Sequence, residues 1–373
     1  MRALDLFSGM GGASLGLEWA GFDVTGIEFD PVAVEMHRHV CDGEIIQGDI
    51  AAMDPAAFDD VEDVDLLWAS PPCQPFSQAG LRKGMDDPRA HLIFQVPRWV
   101  HELRPKYVIC EQVKAALPWW EAFAEDLGKI GYWTWTGLLH SEEFGVPQTR
   151  TRAFLLARHG GMFPGMTPPV PTHRKYHTRA PHDRIDLTND HLLPYVTMAD
   201  VINISHDDLV GFARLDDGAE AINGYRRRDF REGDDPAFTV TSKGRSWSVN
   251  TGRDWKPGGD RSTAQQRDSD CPAPTVTGDS SLNKWMLAGR QSRSTMRNDH
   301  EPAPTVTAGH DVSQWKLGSR LLTVQDGLAL QSFPTDCLDD MEVTKTAAFK
   351  AIGNAVPPLW AQQIADHVSR KGD

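Results

Sequence analysis

The stretch "RALDLFSGMGG", residues 2–12, sets an apolar run directly before a glycine-rich turn. The run reads as a strand, and glycines after it let the backbone turn sharply and approach a ligand closely. A helix follows near residues 12–20, so the first twenty residues predict a strand–turn–helix unit. The same alternation continues outward to residue 157. "DVTGIEF" predicts a second strand, followed by a helix from Asp30 to about Val40. "EIIQ" predicts a short third and "DLLWA" a fourth. A helix around 91–103 leads to "YVICEQV", and "YWTWTGLL" and "AFLLAR" predict two more strands. Strands separated by helices predict an α/β fold with a doubly wound, mostly parallel sheet. Ligands of such sheets lie beyond the carboxyl ends of the strands. The Gly9–Gly12 turn, Glu28, Asp49, Cys73 and Glu111 all fall at those ends, which makes that edge the expected site.

Composition bounds the rest. A chain of 373 residues with 40% apolar and 24% charged residues suits a soluble globular protein of two to three domains. No run of 18 apolar residues occurs, so no membrane span is expected. The start of the chain reads as a strand, so no signal peptide is expected either. Five scattered cysteines (Cys41, Cys73, Cys110, Cys271 and Cys337) form no CxxC pair, which predicts no zinc and a reducing, cytoplasmic setting. The net charge is −14, but it is unevenly spread. Residues 153–320 carry 22 Lys+Arg against 21 Asp+Glu, and within 241–298 the count is ten against five. That basic middle segment admits a polyanionic partner.

The turn departs from the dinucleotide fingerprint, because Ser14 stands where a third glycine is required. Glu28 at the end of the second strand suits the two hydroxyls of a ribose, and Asp49 an adenine amino group. Together they describe a nucleoside pocket that favours S-adenosylmethionine over NAD. "SPPCQPFS", residues 70–77, places Cys73 among Pro71, Pro72 and Pro75, a stiff mount just after a buried strand.

These stretches resemble the DNA (cytosine-5)-methyltransferase family. "DLFSGMGGASLGLEWAGF" is similar to its cofactor loop, "SPPCQPFS" to its nucleophile loop and "GLRKGMDDPRAHL" to the next block. "YVICEQV" resembles the glutamate block and "VPQTRTRAFLLA" the block with two arginines. "RLLTVQDGLALQSFP" and "AIGNAVPP" resemble the two C-terminal blocks, all in the family's order. The resemblance implies a Rossmann-like methyltransferase sheet with a smaller, mainly β target-recognition domain. It implies Cys73 as the nucleophile toward C6 of a flipped cytosine, with Glu111 at N3. Arg150 and Arg152 clamp the nucleotide, with Gln74, Ser77 and Gln148 on the substrate side. For S-adenosylmethionine it implies Phe7, Gly9, Met10, Gly11, Gly12, Glu28, Phe29, Asp49, Ile50, Pro72, Asn354 and Val356. Two positions depart from the family's pattern: Gln112 replaces the usual Asn, and Asp326 the preferred Glu.

The middle segment repeats one phrase three times, "DPAFTVTSKG", "CPAPTVTGDS" and "EPAPTVTAGH", with Pro236, Pro272 and Pro302 spaced by 36 and 30 residues. A tryptophan follows each (Trp247, Trp285, Trp315). Thr-Val-Thr suits a strand core and the flanks suit turns, so three β units are expected. The expected division is 1–157 as the N-terminal part of the catalytic domain, 158–319 for target recognition, and 320–373 completing the catalytic domain. Double-stranded DNA is the expected partner, with Arg245, Arg290 and Arg293 as candidates for base contacts and Arg226 and Arg227 for phosphates. The loop 78–90 is the expected lid. A monomer, paired in function with a cognate restriction endonuclease or standing alone, completes the expectation. The alternatives are a tRNA-methylating relative, a catalytically idle DNA-binding module and an NAD-linked oxidoreductase. The long middle segment, the intact residue set and the missing third glycine, respectively, weigh against them.

Overall fold

A computed structural model describes residues 1–57, 64–72, 90–160, 165–176, 191–202 and 323–369, and the backbone of six short strands between 208 and 321. Cys73, Gln74, Ser77, Arg226, Arg227, Arg245, Arg290 and Arg293 lie outside the described residues, as do residues 78–89 of the expected lid and the Thr-Val-Thr cores.

The first 159 residues run β1 (Arg2–Leu6), α1 (Gly12–Trp19), β2 (Asp23–Glu28), α2 (Pro31–Val40), β3 (Glu44–Gln47) and β4 (Val64–Ala69). They continue through α3 (Gln95–Leu103), β5 (Tyr107–Val113), α4 (Leu117–Lys129), β6 (Tyr132–His140), β7 (Gln148–Thr149) and β8 (Thr151–His159). The helix expected around 91–103 is a 3-10 turn over Ala90–Phe94 leading into α3. Local chemistry explains the entry to α2, where the Asp30 side chain accepts from the Val32 amide and Pro31 opens the first turn.

Seven strands form one sheet in the order β3-β2-β1-β4-β5-β8-β6. The pairs from β3 to β5 are parallel, whereas β8 runs antiparallel to both β5 and β6. This is the mixed α/β fold that the alternation predicts. The order also carries information that the alternation lacks. From β1 the chain winds outward to β2 and β3, then returns to place β4 on the other side of β1. The carboxyl ends of β1 and β4 therefore flank a topological switch point, where open α/β sheets bind ligands. The turn after β1 and the Pro71–Pro72 segment after β4 stand side by side there.

Both faces of the sheet are covered. Leu4, Leu67, Val108 and Leu155 pack with Trp99 of α3 and Trp120 and Phe123 of α4. On the other face Leu66, Trp68, Ile109 and Phe154 pack with Leu17 of α1 and with Trp360 and Ile364 of α7 (Pro358–Ser369). Burial on both faces explains why β5 is apolar through Cys110 without alternation. A third cluster joins Met10, Leu15 and Met36 to α5 (Val324–Leu330) and α6 (Lys345–Asn354), and includes Met198 and Ile202. Residues 165–176 also lie on this body, with Thr172 donating to Gln363 and His367 bonded to the Thr167 carbonyl. The chain thus stays with the large body at least to Ile202, beyond the boundary expected near 158.

In the middle segment, β9 (Asp208–Phe212) pairs antiparallel with β10 (Trp247–Thr251), β11 (Arg297–Asn298) and β13 (Lys316–Leu317). β13 pairs with β14 (Arg320–Leu321). This is a second, smaller sheet. β12 (Ala303–Pro304), inside the third repeat, instead pairs parallel with β7. Among the described residues no helix is long and apolar enough to cross a membrane.

Candidate active site

The site starts with the turn after β1. Phe7, Gly9 and Gly11 have φ of 62°, 57° and 92°. The left-handed region costs a non-glycine residue about 1–2 kcal/mol, so Phe7 carries strain that its neighbours must hold. Ser8 donates its amide to Ile27, and the Gly11 amide returns to Ser8. The Gly9 amide donates to Glu28 Oε2 at 2.9 Å. Glu28 Oε1 accepts the amides of Phe29 and Asp30, both at 2.8 Å. A carboxylate offers about four acceptor positions, so three amides fix its orientation and leave capacity on Oε2.

The glycines of this turn do different work. A Cβ on Gly9 would meet nothing within 4 Å, so that position faces open space. A Cβ on Gly11 would stand 2.4 Å from Cys41 Sγ, and one on Gly12 2.1 Å from the Val356 carbonyl oxygen. Gly11 and Gly12 are small because α2 and the C-terminal segment press against them. Met10 and Val356 are buried, while Asn354 is exposed at the end of α6.

Next to Glu28, the Phe29 ring is 70% exposed. Asp49 follows β3 and is exposed, with Oδ1 capped by the Ala51 amide. The Ile50 carbonyl accepts from Arg98 and from Trp99 Nε1, which ties this loop to α3. An acceptor at Glu28, an open aromatic face at Phe29, an acid at Asp49 and free space above Gly9 suit a nucleoside.

Across the switch point β4 leads into Pro71 and Pro72. Gln112 near the end of β5 is buried, and its Nε2 donates to the Pro71 carbonyl at 2.5 Å. Its Oε1 accepts the Val113 amide at 2.6 Å. This one amide joins the exits of β4 and β5, the strands that lead to Cys73 and carry Glu111. Glu111 points to the opposite face, where its Oε1 lies 2.9 Å from Arg152 Nε. Both side chains are largely buried. The antiparallel register makes this pair, since Arg152 sits opposite Val113 and diagonally to Glu111.

The two arginines have different partners. Arg150 is buried between β7 and β8 and donates from Nη1 to the Gly353 carbonyl at 3.2 Å. Gln148 is fully buried, its Nε2 bonded to the Leu330 carbonyl and Gln331 Oε1, both at 3.1 Å. It braces the C-terminal helices against β7, and its Oε1 is buried with no hydrogen-bond partner among the described residues.

One constellation was not singled out in the sequence. Asp5, Ser14 and His37 are each fully buried beneath the glycine turn. Ser14 Oγ lies 2.7 Å from Asp5 Oδ2 and 3.0 Å from His37 Nε2. Burial pushes the Asp5 carboxyl up to about 7, helped by the Glu28 charge and opposed by the Ser14 bond. Burial likewise lowers His37 to about 4. The visible signal was an acid inside the apolar run "RALDLF", on a strand covered from both sides. Among the described residues no cluster of three metal-ligating side chains occurs.

Comparison with known proteins gives a consistent set of likenesses. The family model described as C-5 cytosine-specific DNA methylase matches residues 1–370. The Type II methyltransferase M1.HphI of Haemophilus parahaemolyticus is 28% identical over 378 residues, covering 98% of this chain and 86% of that protein. M.AquIA of Picosynechococcus is 34% identical over 224 residues, 54% of this chain and 88% of that protein. M.NlaX of Neisseria lactamica is 37% identical over 163 residues, which is 42% of this chain and about half (51%) of that protein. Among solved structures, a DNA modification methyltransferase encoded within an E. coli prophage superposes with a TM-score of 0.58 at 21% identity, covering 98% of both chains. A Spodoptera frugiperda DNMT2 variant gives 0.55 at 17% identity, covering 99% of both. At these identities the two structures speak to the fold.

Proposed function

The chain belongs to the C-5 cytosine-specific DNA methylase family, and we propose that it methylates C5 of a flipped-out cytosine at a specific sequence in duplex DNA, using S-adenosylmethionine. The observation that carries this reading is the switch point itself. The nucleoside-suited edge of β1 and β2 adjoins the Pro71–Pro72 segment leading to Cys73, which one amide ties to the strand bearing Glu111. S-Adenosylmethionine, when bound, supplies an electrophilic methyl group. Glu28, Phe29, Asp49 and the turn from Phe7 to Gly12 are the residues that hold it, with Ile50, Pro72, Asn354 and Val356 around them.

Cytosine is not nucleophilic at C5 until a group adds across its 5,6 double bond. The Cys73 thiolate forms the S–C6 bond, and the displaced π electrons make C5 an enamine carbon. Glu111 hydrogen-bonds N3 and delivers the proton that balances charge in the ring. C5 takes the methyl group. Loss of the C5 proton to a base, with return of the N3 proton to Glu111, then regenerates the double bond and expels the thiolate. Arg152, already beside Glu111, orients that carboxylate and meets the incoming base. A stacked cytosine cannot reach this edge, so the base must leave the helix, at a cost of about a few kcal/mol.

Within the segment 158–319, the part beyond Ile202 serves target recognition, with its arginines toward DNA. A cognate restriction endonuclease is the functional counterpart, since the relatives are named Type II methyltransferases. The test is base-resolution cytosine methylation of plasmid DNA from cells expressing the wild type or Cys73→Ala. Methylation at one short motif, absent in the variant, supports the proposal. No methylation in either, with a folded protein that binds S-adenosylmethionine, overturns the DNA reading and directs the search to RNA.

A further inference from the structure

Asp5 is fully exposed to the consequences of its position: it lies inside the protein with one hydrogen bond on Oδ2 and none on Oδ1. A buried carboxylate normally recruits a cation. The groups that face Asp5 do not include one among the described residues. β2 contributes Glu28, a second acid, and α1 contributes Ser14. α2 contributes His37, with Arg38 acting on His37, and Cys41 follows with Glu18 and Cys337 around it. From β4 the register neighbour is Trp68, which carries no charge.

The position of this acid is specific. It precedes Phe7 by two residues, and Ser14 stands in the first turn of α1 on the far side of the Gly9–Gly12 turn. The His37 ring fills the space beside Gly11 and Gly26, where added Cβ atoms would lie 3.0 Å and 2.8 Å from it. Asp5, Ser14 and His37 are therefore the floor of the turn whose Gly9 amide is held by Glu28. Two extended residues span about 7 Å, so the turn begins about that far from Asp5.

We propose that Asp5, acting through Ser14 and His37, is a positioning residue that makes the protein prefer a cationic cofactor to its neutral demethylated product. The inference rests on the reading of this edge as the S-adenosylmethionine site. The cofactor bears a sulfonium charge that S-adenosylhomocysteine lacks, and the two are otherwise alike but for one methyl group. Binding of the cation expels the proton from Asp5 to solvent. Binding of the neutral product leaves the proton in place. The hydrogen bonds allow both states. With Asp5 ionised, Ser14 donates to it and accepts from His37 Nε2–H. With Asp5 protonated, the acid donates to Ser14, whose hydroxyl then donates to His37 Nε2, and the ring carries its proton on Nδ1. His37 is neutral throughout, as its burial requires. A unit charge at about 10 Å through an effective dielectric near 20 changes affinity roughly tenfold.

The experiment is calorimetric titration of the wild-type protein with S-adenosylmethionine and S-adenosylhomocysteine between pH 5.5 and 8, in buffers of different ionisation enthalpy. The proposal expects affinity for the cation to rise about tenfold across that range, with proton release near pH 7. The product's affinity stays flat, and sinefungin, with an ammonium in place of the sulfonium, follows the cation. In Asp5→Asn the preference and the proton release both disappear while product affinity is kept. Equal pH dependence for cation and product in the wild type would overturn the proposal while leaving the cofactor site intact. Failure to bind either ligand would overturn the site assignment and this inference with it.

Discussion

Replacing Gly16 with alanine tests how the C-terminal segment closes the fold. An added Cβ would stand 2.3 Å from the Pro358 carbonyl oxygen, 2.6 Å from Ala361 Cβ and 2.9 Å from the Gln362 amide nitrogen. Two of these neighbours are backbone, so no side-chain rotation relieves the clash, and α1 and α7 must separate by about 1 Å. Their contact buries Leu17, Trp360, Ala361 and Ile364 in one cluster. Overpacking of this kind costs about 1–3 kcal/mol or more, against a helix-propensity gain of about 1 kcal/mol for Gly→Ala. The net expectation is a loss of up to about 2 kcal/mol. Gly128 provides the control: it is exposed in α4, and a Cβ there meets nothing within 4 Å. Gly128→Ala should therefore gain up to about 0.5 kcal/mol, the propensity benefit being reduced near a helix end. Urea-denaturation midpoints of the two variants and the wild type supply the comparison. If Gly16→Ala proves as stable as Gly128→Ala, α7 does not pack on α1, and the C-terminal segment does not complete the sheet's cover.

Two further substitutions probe smaller parts of the molecule. Gln112→Leu leaves the Pro71 carbonyl and Val113 amide buried without their partner, a cost of about 1–3 kcal/mol. Its single-turnover methylation rate should fall more than its S-adenosylmethionine affinity, with Gln112→Asn in between; equal losses in rate and affinity would reduce Gln112 to a purely structural residue. Asp326→Ala removes a capping box in which Thr323 and Asp326 exchange side-chain-to-amide bonds at 3.1 Å and 2.8 Å. It should cost about 1 kcal/mol in thermal denaturation, whereas Asp326→Glu should cost almost nothing.

The alternation of strands and helices was legible because each element's period is local. The place of β8 was not, since an antiparallel strand inserted between β5 and β6 depends on pairings between residues far apart in sequence. The same limit governs the site. Glu28 and Glu111 stand at strand ends that the sequence marks, and there the structure places them. Ser14 and His37 meet Asp5 only through the packing of α1 and α2, and nothing in their spacing announces it. Gly12 shows a subtler case. Its neighbours in the turn suggest ligand approach, yet the atom that excludes a Cβ belongs to Val356, more than 300 residues away in the chain. Gln148 is a further case, because nothing in an amide beside two arginines announces its burial against Leu330 and Gln331.

The positioning of the site depends on what happens where the sheet stops. Backbone groups beyond the last ladder bond have lost their strand partners, and buried ones must be satisfied by something else. Here side chains do it, and each spans two neighbouring exits. Glu28 joins the turn after β1 to the end of β2. Gln112 joins the end of β5 to Pro71 after β4. Arg150 joins the start of β8 to the Gly353 carbonyl, and Gln331 binds the Ile352 carbonyl while accepting from Gln148. A loop held only by its own chain could shift by an ångström without breaking a bond. Loops cross-linked through buried amides and carboxylates cannot, because any shift leaves a polar group unsatisfied in a dry interior. The departure at Gln112 therefore falls at a point that matters: its extra methylene sets the distance between the strand leading to Cys73 and the strand bearing Glu111.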